Sequence, residues 1–204
     1  QYFLPPVLRE LQATFPECDV IVTPGDSPEN LDALRQGSID VSLSIKHRDM
    51  ADFTFQHLFT DEMRLVFSRM HAWARRQEIR PEDLAHETIL HYSRGSATYD
   101  LISRWMVAHR VHVGRTMEFG SMEALKEMAR IGQGVAILPD WGIIEGKDIG
   151  LASRPIPDVP IRREWGVASL KGKTSSLLEE TFMGLCEQHA KSFVGGNRVH
   201  FGVA

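Results

Sequence analysis

Hydroxyl, cationic and aromatic side chains recur in short turns directly after strand-like runs. Ser44-Ile45-Lys46 closes the run Ile39–Ile45, and Ser93-Arg94-Gly95-Ser96, with Thr98, follows Thr88–Tyr92. Ser121 and Met122 follow "VGRTMEF", and Pro139, Asp140 and Trp141 follow "GVAIL". Hydroxyls and backbone N–H groups at helix starts favour anions, so such turns suit reversible binding of a small anionic molecule. Plainer roles compete at every position. Ser96 and Ser121 serve equally as helix caps. Lys46 and Arg94 are otherwise solvated charges, Met122 is equally a core residue, and Trp141 could simply shield the protein interior.

Bond-making chemistry has less support. The sequence contains no G-x-S-x-G elbow, phosphate-binding P-loop, G-x-G-x-x-G turn or H-E-x-x-H pair, and the serines of "SRGSAT" have no base at a recognisable spacing. His109-x-x-His112 is the nearest histidine pair, but it straddles a predicted helix end, whereas zinc needs three or four converging ligands. No metal, no cofactor and no catalytic residue is therefore expected. Cys18 and Cys186 belong to no C-x-x-C spacing and read as free, reduced thiols.

The elements that must hold these turns alternate between helix and strand. Phe3, Leu4, Val7, Leu8, Leu11 and Phe15 repeat at helical spacing, and Pro16 closes that helix. Val20-Ile21-Val22 reads as a short buried strand. Ser27 is the predicted N-cap of the next helix, with Pro28 at its first position, Leu31 and Leu34 on its apolar face and Gly37 just past its end. "IDVSLSI" is the second strand. The pattern repeats through "RPEDLAHETILHY", a turn, a short helix around Glu82–Ala85 and a strand over Thr88–Tyr92. A helix with Leu101, Ile102, Trp105 and Met106 follows, then the strand "VGRTMEF", a helix capped by Ser121, and the strand in "GQGVAILPD". Strands alternating with helices of about ten to fifteen residues imply βαβ units and parallel sheets.

"MRLVFS" (63–68) and "EWGVASL" (164–170) bracket the second set of units and read as crossings between lobes. The final helix, Ser175–Phe193, returns to the first lobe. The expected fold class is α/β, two Rossmann-like subdomains with parallel-rich sheets joined by two crossover strands. Residues 1–67 open subdomain I, 68–165 form subdomain II, and 166–204 return to subdomain I. Open α/β sheets bind ligands at the carboxyl ends of their strands, so the turns named above would line a cleft.

With 204 residues, 43% apolar and 25% charged, the chain can bury a core. Its net charge is −4, and its basic residues stand singly or in pairs such as Arg75-Arg76 and Arg162-Arg163, which argues against nucleic-acid binding by this chain. No run approaches the roughly 18 apolar residues of a membrane span, and no basic-plus-apolar leader is visible. A cytoplasmic location and no membrane partner are expected.

"LPPVLRELQATFPECDVIVTPGDSPENLDALRQGSIDVSLSI" resembles the opening of the effector-binding domain of LysR-type transcriptional regulators, with its Leu-Pro helix, "FP" turn, strand, "LxxLxxGxxD" helix and strand in order. "FTDEMRLVFSRMHAWAR" is similar to that family's first crossover and "HPLA" turn, although Ala72-Trp73 replaces Pro-Leu. "EDLAHETIL", "GSMEALKEMARIGQGVAILP" and the closing helix continue the order over nearly the whole chain. The resemblance implies a type II periplasmic-binding-protein-like fold and transcription regulation rather than catalysis. It also implies small-molecule sensing by lobe closure, with carboxylate-like effectors that single out Lys46 and Arg94. A homodimer or tetramer assembled through the helix Leu4–Phe15 is implied as well. A solute-binding receptor or a small-molecule enzyme on the same two-lobed fold is the alternative.

The last residues, "RVHFGVA" (198–204), alternate like a strand after the glycine-containing stretch "VGGN" (194–197). In the resembled family a strand of the type "LRIGxA" precedes the Leu-Pro helix. The pattern at the end of the chain is similar to it, so the expectation is a circular permutant whose joint is roughly "VGGN", with a natural C-terminal tail of strand-like pattern as the alternative.

Overall fold

The structure, a computed structural model, describes residues 2–144 and 147–194. The expected strand 198–204 and most of its joint lie outside the described residues. The chain packs as two compact units, Gln1–Thr60 with Glu164–Ala204 and Asp61–Arg163. The subdomain boundaries at 67/68 and 165/166 drawn from sequence fall inside two strands, β2 (Phe53–Ser68) and β7 (Arg162–Leu170), that pass from one unit to the other.

In the first unit, α1 (Leu4–Thr14) carries Pro5 and Pro6 in its first turn, where missing N–H groups cost nothing. Its apolar stripe, Phe3, Val7 and Leu11, packs with Phe182, Cys186 and Ala190 of α5 (Leu177–Val194) and with Phe59 and Val167. Ser176 accepts the Glu179 N–H at 3.2 Å and so caps α5. For α2 (Ser27–Arg35) the cap differs from the sequence expectation. Asp26 occupies the N-cap position, and its N–H donates to Glu29 Oε2 at 3.2 Å. Ser27 is instead turned inward, where its hydroxyl accepts the Ile45 N–H at 3.1 Å. Gly37 ends the helix in the left-handed region at φ 68°.

The strand β1 (Ser42–Ile45) pairs antiparallel with β7, Ser44 opposite Gly166 and Ile45 opposite Trp165. Only glycine fits at 166, since a Cβ there would lie 2.4 Å from the Gln56 carbonyl oxygen. The short strand expected at Val20-Ile21-Val22 does not form. These residues belong to no strand and are 38%, 89% and 54% exposed. Branched residues do become strand when a neighbouring backbone is there to pair with them, and among the described residues none does.

The second unit holds β3 (Thr88–Tyr92), which pairs parallel with both β4 (Arg115–Phe119) and β5 (Val135–Pro139). The Asp61–Ser68 part of β2 runs antiparallel to β5 on one side and to β6 (Leu151–Pro155) on the other. The sheet is thus mixed, with its parallel strands at β3, β4 and β5. Alternation divides its side chains between two faces. Ile89, Ile137, Leu65 and Phe67 meet Ile102, Trp105 and Met106 of α3 (Ala97–Ala108), while Leu90, Ala136, Leu138 and Val66 meet Leu125 and Ala129 of α4 (Met122–Arg130). Trp73 of a short 3₁₀ turn, Ala72–Arg75, plugs the α3 side. Among the described residues, no helix is long and apolar enough to cross a membrane.

Candidate functional site

The parallel strands of the second unit all end at one edge, and the loops leaving that edge carry most of the polar residues singled out by sequence. After β3, Gly95 at φ 86° turns the chain so that Ser96 can cap α3. The Ser96 N–H donates to the Ser93 carbonyl at 3.2 Å, and its hydroxyl accepts the Tyr99 N–H at 3.1 Å. After β4, Gly120 passes beside Ser93, a Cβ at 120 lying 3.8 Å from its hydroxyl oxygen. Ser121 then caps α4 by accepting the Ala124 N–H at 3.2 Å. Both serines therefore play the capping role, at two helix starts brought together by the adjacent ends of β3 and β4.

Behind these loops lies a buried polar cluster. The Arg163 guanidinium donates through Nε to Asp61 Oδ1 at 2.9 Å and through Nη2 to Asp61 Oδ2. Its Nη1 donates to the Thr98 hydroxyl at 3.0 Å, fixing the first turn of α3. The Trp141 indole N–H donates to Asp61 Oδ2 at 2.8 Å. Trp141 thus binds the cluster through its indole, rather than merely screening the interior. The two charged side chains are 2% and 4% exposed, so their mutual charge-assisted bonds replace most of the water they would otherwise hold. Tyr92, at the end of β3, shares this environment, and burial pushes its phenol up to about 12. Pro139 is buried at the end of β5, and Met122 lies against Gly142, where a Cβ would approach its sulfur to 2.7 Å.

Asp61 and Arg163 were missed as site residues. A signal existed in "DEMRLVF", where Asp61 shares the parity of Met63, Leu65 and Phe67, all buried. A carboxylate on an inward-facing position needs a partner, and Arg163 supplies it from 102 residues away in sequence.

Both cations chosen for anion reading already hold carboxylates. Arg94 is 75% exposed, its backbone N–H donates to Glu118 Oε1 at 2.9 Å, and its Nε stands 3.4 Å from Glu118 Oε2. In the first unit, Lys46 Nζ lies 2.9 Å from Glu164 Oε2, with both side chains about half exposed. Ser44 and Ile45 are buried, and Ile45 ties the end of β1 to the start of α2 through Ser27. Among the described residues no group of three or more His, Cys, Asp or Glu side chains is placed to hold a metal ion.

Known proteins share this arrangement of elements. The regulatory domain of CcmR from Synechocystis PCC6803, solved in complex with 2-PG, superposes with a TM-score of 0.84, is 26% identical, and covers 93% of this chain and 92% of its own. The MetR regulatory domain of N. meningitidis matches in fold, with a TM-score of 0.79, 18% identity and coverage of 93% and 88%. In sequence, the transcriptional activator CmpR of Synechocystis sp. (strain ATCC 27184 / PCC 6803 / Kazusa) is 24% identical over 184 residues, 90% of this chain and 60% of CmpR. The chain thus spans about 60% of this longer regulator. The family model described as the LysR substrate binding domain matches residues 1–191, and this chain belongs to that family.

Proposed function

We propose that the chain is the ligand-sensing domain of a cytoplasmic transcriptional regulator, that its ligand is a small anion, and that it performs no catalysis. The observation that carries the reading is the convergence, at the carboxyl ends of β3, β4 and β5, of two capped helix starts backed by the Asp61–Arg163 cluster. The 26% identity to the CcmR regulatory domain, whose complex contains 2-PG, supports the choice of ligand class. The contacts proposed in the second unit are Ser93, Arg94, Ser96, Thr98, Ser121, Met122, Pro139 and Trp141, and those in the first are Ser44, Ile45 and Lys46. Lys46 and Arg94 would exchange Glu164 and Glu118 for the ligand's charge. Both ion pairs are solvent-accessible and contribute on the order of 1 kcal/mol or less, so the exchange costs little. The domain works as a homodimer or tetramer and itself touches neither nucleic acid nor membrane.

Thermal denaturation with 2-PG and a panel of small carboxylic acids tests this reading. A ligand at a hundredfold excess over its Kd stabilises the native state by about 2.7 kcal/mol, a readily measured rise in Tm. The expected result is a rise for at least one anion, reduced by the double substitution Lys46→Ala and Arg94→Ala. No rise with any anion would refute the ligand class, and consumption of the ligand during incubation would refute the non-enzymatic reading.

A further inference from the structure

We propose that Arg163 is a positioning residue of the ligand site: through the Thr98 hydroxyl it holds the first turn of α3 where that turn's unpaired N–H groups meet the anion. This role rests on the anion-sensing reading above, and every residue it involves belongs to the second unit. Ser96, Ala97 and Thr98, at the start of α3, are all buried. The Ser96 hydroxyl accepts the Tyr99 N–H and the Ser96 carbonyl accepts the Asp100 N–H. Among the described residues, the N–H groups of Ala97 and Thr98 have no acceptor. N–H groups of buried residues are nearly always paired in folded proteins, so two in succession at the positive end of a helix call for an acceptor from outside the chain.

Arg163 grips this same turn. Its Nη1 donates to the Thr98 hydroxyl at 3.0 Å. A guanidinium has no lone pair to offer in return, so the hydroxyl can only accept from it, and the hydroxyl proton must point away from Arg163. Asp61 keeps the guanidinium from swinging, accepting from Nε at 2.9 Å and from Nη2, and Asp61 is itself held by the Trp141 indole N–H at 2.8 Å. A planar fork held at both ends fixes direction as well as distance, and threonine is stiff about its first side-chain bond. Thr98 is therefore held in place, and the backbone N–H groups beside it are held with it. A binding surface that is already ordered loses less entropy when the ligand arrives, so the grip raises affinity although Arg163 itself makes no ligand contact.

Isothermal titration calorimetry of the full chain with 2-PG and with inorganic phosphate, beside a urea midpoint for every variant, tests this role. Thr98→Val keeps the shape and removes the acceptor of Arg163, and should weaken binding about tenfold, whereas Thr98→Ser keeps the hydroxyl and should stay within about threefold. The double substitution Asp61→Leu with Arg163→Met removes both buried charges together and should itself bind about tenfold more weakly than the unmodified chain. Adding Thr98→Val to that pair should change the affinity by less than about twofold, since Arg163 is no longer there to act through the hydroxyl. Additive losses in the triple variant, or a loss in the double variant well beyond that of Thr98→Val, would overturn the proposal, because Arg163 would then act by another route. So would equal affinity of Thr98→Val and the unmodified chain. In each of these cases the unmodified chain still binds its anion and the sensing reading stands. Binding of neither probe by the unmodified chain would overturn that choice of ligand and this role with it.

Discussion

Asp61 and Arg163 form a pair whose value is revealed by breaking it one side at a time. Replacing Asp61 by Ala leaves the guanidinium buried at 4% exposure without that counter-charge, which costs about 3–5 kcal/mol. Arg163→Met costs a similar amount from the other side. The double substitution Asp61→Leu with Arg163→Met removes both charges together, and should be within about 2 kcal/mol of the unmodified protein, because desolvation no longer opposes folding. Urea denaturation of the four proteins measures this, and strictly additive losses would show that the pair is not coupled. Half of this chemistry was legible. Ser93, Ser96, Thr98, Ser121 and Trp141 could be picked out because each follows a strand, and strand ends are visible locally. What Lys46, Arg94 and Arg163 bind could not, since their partners stand 118, 24 and 102 residues away and are set only by the fold.

At the scale of elements, the register of β3 against β5 depends on Gly134. A Cβ there would sit 2.3 Å from the carbonyl oxygen of Thr88, the residue before the paired Ile89 and Val135. Backbone in the middle of a sheet cannot yield, so Gly134→Ala should cost about 1–3 kcal/mol. Gly25→Ala makes the control. Its Cβ would meet the Asn30 side-chain oxygen at 2.6 Å, and that side chain can rotate away, so the loss should be nearer about 0.5 kcal/mol. Equal losses in the two variants, measured by denaturant midpoint, would contradict the steric argument. Periodicity identified α1, α3, α4, α5, β3, β4 and β5, each of which turns apolar side chains toward a neighbour, although those of β4, Met117 and Phe119, are only partly buried. It failed where an element depends on something beyond its own sequence. Val20–Val22 has strand-forming residues and no described partner, β6 carries only Leu151 as a fully buried residue, and Asp26 took the cap expected of Ser27 because Ile45 claimed the serine hydroxyl.

For the molecule as a whole, two buried protons, one in each unit, make stability fall in alkali. Burial raises the Cys186 thiol from 9.0 to about 12 and the Tyr92 phenol from 10.0 to about 12. Both groups stay protonated in the folded chain while the unfolded chain loses its proton, so the unfolded state binds fewer protons and stability declines as pH rises. The contribution of Cys186 is intact below pH 9 and lost between about 9 and 12, and that of Tyr92 is intact below pH 10 and lost between about 10 and 12. Each tenfold difference in proton affinity between folded and unfolded chain is worth roughly 1.4 kcal/mol, so Tyr92 should account for about 3 kcal/mol and Cys186 for about 4 kcal/mol across those windows. Tyr92→Phe should flatten the stability–pH curve only above pH 10, and Cys186→Ala should flatten it from pH 9. Because β2 and β7 run unbroken from one unit into the other, unfolding either unit severs strands of both, and both slopes should appear in one urea transition. Two transitions, one sensitive to Tyr92→Phe and the other to Cys186→Ala, would instead show that the units unfold independently.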